Sequence, residues 1–172
     1  MNGGELPECA TWLVDERHAF LCLTTRVNED WTEDVLAAIS TGSDGPGRVG
    51  IDPVGMFGDI TADDLRSSVL PVSRRGAEDL LRLLAVGSFF DGPDMSLREP
   101  DETRDTCVRD ILASVGEEAE FFTNHGHAED GDAADFLAAG FHYNSLARVL
   151  YDVCLIGVAR DRLLLAWRFE DA

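Results

Sequence analysis

The chain has 172 residues, a formal charge of −19 and a pI near 4.3. All 14 of its basic residues are Arg; there is no Lys and no Gln. Its length predicts one domain over residues 1–172. A composition of 45% hydrophobic and 27% charged residues is that of a folded chain, not of a disordered acidic one.

The charge and the missing lysine exclude several function classes. Nucleic-acid backbones and anionic membrane surfaces are bound by Lys and Arg in excess, and the excess here is acidic. A P-loop, a pyridoxal phosphate Schiff base and a protein kinase each require a lysine that this chain lacks. The N-terminus carries Glu5 and no basic residue before Pro7, unlike a secretory signal, and no apolar run is long enough for a membrane span. Cys9, Cys22, Cys107 and Cys154 form no C-x-x-C pair. All four are expected as reduced thiols of a cytoplasmic protein, with Cys107 and Cys154 packed as small hydrophobes.

In chain order, residues 9–27 read as one or two buried strands, with Ala19, Leu21, Leu23 and Thr25 alternating against Phe20, Cys22 and Thr24. Asp30, with Glu33 three places on, opens a helix carrying Trp31, Val35 and Ile39 to Gly42. Glycines then mark a loop around a short strand, Arg48 to Ile51. Thr61 with Asp64 caps a second helix, stopped by Pro71, and Ser73 caps a third that runs to Gly87. Asp91 to Glu99 is a connector. Cys107, Val108, Ile111, Leu112 and Val115 share one face of a helix over 101–115 that Gly116 ends. Asp132 and Asp135 predict a further helix carrying Phe136, Leu137, Phe141 and Leu146. Val149–Val158 and Leu163–Phe169 read as a hairpin, with Leu163, Leu165, Trp167 and Phe169 on one face and Arg162, Arg168 and Glu170 pointing the other way. The expected fold is α+β: a mostly antiparallel sheet ending in this C-terminal β-hairpin, with helices packed on one face.

The charge is uneven along the chain. Residues 116–145 hold seven acidic residues, no Arg, and three of the four histidines. Two chemistries are open to this stretch. His125 and His127, at i and i+2 on an extended segment, would point the same way and could share a metal with nearby carboxylates, as in a hydrolase or oxygenase. No H-E-x-x-H or EF-hand pattern accompanies them. Alternatively, Glu117, Glu118, Glu120, Glu129, Asp130 and Asp132 form an acidic surface for a basic protein partner, or for self-association through an arginine face. The glycine-rich 42–58 stretch does not fit a phosphate loop, and no G-x-S-x-G elbow is present. In size, acidity and hairpin-terminated layout the chain loosely resembles bacterial immunity and antitoxin proteins. That resemblance implies a non-catalytic, cofactor-free binding protein. A small-ligand pocket between sheet and helices is a third reading.

Overall fold

The computed structural model describes residues 5–41, 47–86, 95–138, 142–149 and 151–170. In chain order these form α1 (Ala10–Leu13), β1 (Ala19–Thr25), α2 (Trp31–Ser40), β2 (Arg48–Gly50), α3 (Ala62–Ser68), β3 (Leu70–Val72), α4 (Arg74–Val86), α5 (Glu102–Val115), β4 (Glu120–Thr123), β5 (Tyr151–Val158) and β6 (Arg162–Glu170). Short 3-10 segments cover Met95–Arg98 and Gly126–Ala133.

The helices start where a side chain replaces the missing backbone acceptor. Asp30 accepts from the Thr32 N–H of α2 and Asp101 from the Arg104 N–H of α5. The reciprocal capping box forms at α3, between Thr61 and Asp64. The Ser73 hydroxyl accepts from the Gly76 N–H at the start of α4. The expected terminators Gly42 and Gly87, with Asp91 to Asp94 and Phe141, lie outside the described residues.

The strands make one six-stranded sheet in the order β2-β1-β6-β5-β4-β3, and every pairing is antiparallel. Residues opposite one another share a face, so the register sorts the apolar side chains. One row runs Cys22, Leu165, Ile156, Phe122; the next runs Leu23, Leu164, Gly157, Phe121. Gly157 makes room in that row, since a Cβ there would lie 2.9 Å from the Phe121 ring.

Both faces of the sheet are apolar, and both are covered. Leu21, Leu23, Val153, Leu155, Leu164 and Ala166 pack with α1, α4 and α5. Phe20, Cys154, Ile156, Leu163, Leu165 and Trp167 pack with α2, α3, Phe57 and Leu146. The α+β class, the antiparallel sheet and the terminal hairpin are as expected, and a second helical layer lies over the opposite face. Arg168 and Glu170 do point away from Trp167 and Phe169, yet both are buried and paired to each other at 2.9 Å.

Three expectations are corrected. Residues 10–13 are helical rather than extended. Ala10 and Leu13, three apart, are the buried pair, while Thr11 and Trp12 are exposed, which is a helical and not an alternating pattern. No helix starts at Asp132: that residue lies in the 3-10 segment broken at Gly131 (φ 59°), and the Asp135 carboxylate accepts from the Leu137 N–H in a local turn. Finally, Cys9 and Cys107 are joined by a disulfide spanning 98 residues of sequence, so only Cys22 and Cys154 are free. Packing of α1 against α5 brings the two Cα atoms to 5.9 Å, a proximity that spacing along the chain does not reveal.

Reducing this disulfide should lower stability by roughly 2–5 kcal/mol, read as a lower urea midpoint with dithiothreitol than without. Denatured protein never exposed to reductant should present the two thiols of Cys22 and Cys154 to an alkylating reagent. Equal midpoints and four reactive thiols would show that the bond does not form.

Candidate functional site

The acidic segment begins at the end of α5. Gly116 takes φ +114°, open to glycine, and turns the chain out of the helix. Its carbonyl accepts from Arg74 at 2.6 Å, and the Ser114 carbonyl accepts from Arg162 at 2.9 Å. Two guanidinium groups therefore sit at the negative end of the helix. Glu117 and Glu118 follow in the turn and Glu120 opens β4, all exposed.

At the other end of β4 the backbone leaves the sheet, and side chains take over its pairing. The Thr123 hydroxyl donates to the Cys154 carbonyl at 2.6 Å and accepts from the His125 N–H at 3.1 Å. Asn124 donates to the carbonyls of Asn144 and Asp152 and accepts from the Cys154 N–H at 2.8 Å. Asp152 is fully buried. Its carboxylate accepts from the Leu146 N–H, the Ser145 hydroxyl and the Trp167 indole N–H at 3.0–3.1 Å. Burial still raises its pKa above the ordinary carboxylate value, with these hydrogen bonds opposing the shift. The network ties the 144–147 segment to the sheet and is satisfied within the protein.

The histidines do not lie on one extended face. His125 ends the strand pairing and points inward, while His127 lies within the 3-10 segment. His125 Nδ1 accepts from the His127 N–H at 3.1 Å, which assigns the neutral ring a proton on Nε2. His127 Nδ1 lies 2.8 Å from the Asp135 carbonyl, so that nitrogen carries the proton. The two rings are 4.9 Å apart, and Phe136 meets His125 edge-on. His142, unassigned by sequence, joins them: Gly126 donates to its carbonyl, and a Cβ on Gly126 would fall 2.4 Å from its ring. Its Nε2 is 3.6 Å from Glu129, on the surface. The fourth, His18, pairs instead with Asp15 at 3.0 Å. Among the described residues no group of three or more His, Cys, Asp or Glu is placed to hold a metal ion. The free thiols are buried, and burial raises both the Cys22 and the Cys154 pKa, which makes them poor nucleophiles.

The six predicted contact carboxylates are all exposed, and they fall into two groups. Glu129, Asp130 and Asp132 come together on the 3-10 segment. Glu117, Glu118 and Glu120 lie at the opposite end of β4, whose four residues separate the groups by about 10 Å. Of these six, among the described residues only Glu129 has a basic side chain within ion-pair distance, the imidazole of His142.

Most of the arginines, in contrast, are turned to the protein itself; Arg17, Arg75, Arg109, Arg148 and Arg160 are exposed. Arg48 caps the carbonyl end of α2 through Ala38 and Thr41, and Arg168 reaches Leu84 in the last turn of α4. Arg26 pairs with the buried Asp34, Arg66 with Asp30 and Asp63, Arg82 with Asp79 and Asp105, and Arg98 with Asp135. The pairs Arg66–Asp63 and Arg82–Asp79 are three residues apart, but the others, such as Arg66–Asp30, Arg82–Asp105 and Arg98–Asp135, join distant segments and carry no signal in the sequence.

No protein-family model matches the chain, and no curated protein or solved structure is significantly similar to it. Among the described residues no helix is long and apolar enough to cross a membrane.

Burial, with the neighbouring His127 and His142, pushes the His125 imidazole down to about 3. An unfolded histidine takes its proton near pH 6.5, so between these values the unfolded state binds more protons than the folded one. Stability should therefore fall as the pH drops from about 6.5 toward 5, by up to about 1.4 kcal/mol per unit from this residue. His125→Gln should flatten that slope in urea titrations at several pH values. An unchanged slope would mean that His125 titrates alike in both states.

Proposed function

We propose that the chain is a non-catalytic binding protein whose outward carboxylates engage a basic protein surface. The observation that carries this reading is the sorting of charge. Most arginines are directed to carbonyls and carboxylates of the protein itself, while Arg17, Arg75, Arg109, Arg148 and Arg160 stay exposed, and Glu117, Glu118, Glu120, Glu129, Asp130 and Asp132 face solvent. Such a surface attracts a cationic partner over a distance and accelerates docking. Self-association through an arginine face is less well supported, since most of the guanidinium groups already have partners and two copies at −19 repel. A basic toxin or a nucleic-acid-binding protein has the required chemistry, in keeping with the immunity or antitoxin role.

The cytoplasm is the compartment proposed with this role. The Cys9–Cys107 disulfide bears on it, because such bonds persist in oxidising compartments and are rare in a reducing cytoplasm. Thiols blocked before lysis report the state in the cell: four reactive cysteines support the cytoplasm, and two support an oxidising compartment.

Two triple variants test the surface itself. One is Glu117→Gln, Glu118→Gln, Glu120→Gln; the other is Glu129→Gln, Asp130→Asn, Asp132→Asn. Immobilised wild-type protein should retain a basic protein from native lysate at ~50 mM salt and release it as the Debye length shrinks at ~1 M. At least one triple variant should lose that capture while keeping its unfolding midpoint. No basic protein retained at low salt, or equal retention by both variants, would overturn the reading.

A further inference from the structure

The loop over residues 51–60 does more than close the sheet face beside α2. Together they enclose a groove of about 400 Å³, within the range of small-ligand sites. Its lining is mixed, with apolar side chains from α2 (Leu36 and Ile39) and from the loop (Val54, Phe57 and Ile60) beside polar surface of comparable extent. Val54 is half exposed although it lines the groove, so apolar surface there is left uncovered.

Among the described residues that line this groove one is a cation, Arg148. Among the described residues its guanidinium has no hydrogen bond or ion pair, in contrast to the paired arginines above. The residue's backbone is nevertheless held in place. The Arg148 N–H donates to the Met56 carbonyl at 2.7 Å, which fixes its backbone to the loop. The guanidinium lies against Gly58, whose φ is +62°. A Cβ at Gly58 would come within 2.2 Å of Arg148 Nε and 2.5 Å of Cζ, so a larger residue there would push the flexible end of Arg148 aside. Asp59 also lines the groove and is exposed.

We propose that this groove binds a small monocarboxylate with an apolar body. The carboxylate pairs with the Arg148 guanidinium, and the body lies against Leu36, Ile39, Val54 and Ile60. A planar guanidinium matches a carboxylate in a two-point hydrogen bond. One cation among the described lining residues, with the Asp59 carboxylate in the same lining, selects one negative charge over two and so disfavours phosphates. The site is independent of the acidic surface and stands whether or not a protein partner exists.

Octanoate and octanol probe the two halves of the proposal separately, each followed by ¹H–¹⁵N correlation spectra of the full chain. Octanoate should give saturable shifts confined to the residues of α2, the 51–60 loop and Arg148. Octanol, which keeps the chain and lacks the charge, should bind at least about tenfold more weakly, the worth of a charge-assisted hydrogen bond. Arg148→Gln should lose affinity for octanoate by a similar factor, and Gly58→Ala should lose it by displacing the guanidinium. No saturable shift, shifts elsewhere on the protein, or equal binding of octanoate and octanol by the wild type would overturn the proposal. The comparison of probes on wild-type protein holds even if a variant fails to fold.

Discussion

The structure depends on a strand pair that has no wet side. β6 lies between β1 and β5, and Leu163 to Phe169 are buried on both faces. Each such side chain contributes roughly 1.5–3 kcal/mol only if water is excluded from it, so the hairpin requires a layer on each side. α4 and α5 supply one and α2 and α3 the other. The same constraint reaches the polar residues of these strands. Arg168, Glu170 and Asp152 cannot turn to solvent and must find partners inside. Arg168 therefore joins Glu170, Asp15 and the Leu84 carbonyl, linking the last strand to the start of β1 and the end of α4. Asp152 joins Trp167, Leu146 and Ser145, linking β5 to the segment before it.

The internal use of arginine follows from that need. A guanidinium offers five donors in a fixed fork and keeps its charge when partly buried, which suits it to several carbonyls at once. Arg26 binds the carbonyls of Asn28, Glu29 and Ala159 together with the Asp34 carboxylate. Arginines at the carbonyl ends of α2, α4 and α5 also meet the negative ends of those helix dipoles. The absence of lysine, read from composition alone, excluded mechanisms. Together with the fold, it accounts for where most of the positive charge resides: in the framework, leaving the surface predominantly acidic.

The legible parts of the sequence were those set by local chemistry. Caps at Asp30, Thr61 and Ser73 act within three residues, and the hairpin alternation from Leu163 to Phe169 acts within one strand. What sequence hid was set by distant contacts. The four residues of α1 are too few to hold a helix by propensity; packing on α5 and the bond to Cys107 place them. The acidic run at 126–133 looked like a helix start because Asp132 and Asp135 have the right spacing. Gly131 breaks it, and the Asp135 side chain closes a local turn instead. Of the candidate site, the exposure of the six carboxylates was foreseeable, but their division by β4 was not. His142 and Arg148 carried no signal, because each acquires its neighbours only through a glycine, Gly126 or Gly58, on another segment.

The two proposed sites respond to salt in opposite ways, and this separates them physically. A basic partner is drawn by the summed field of −19 charges, most of them farther from it than a Debye length of about 10 Å at 0.1 M salt. Added salt removes that attraction. A carboxylate ligand in the Arg148 groove is repelled by the same field and held by one contact a few ångströms long. Salt screens the distant repulsion more than the close contact, so octanoate affinity does not fall between low salt and about 0.1 M, where partner capture weakens. If octanoate binding instead weakened in parallel with partner capture, general electrostatics and not a seated guanidinium would be its origin.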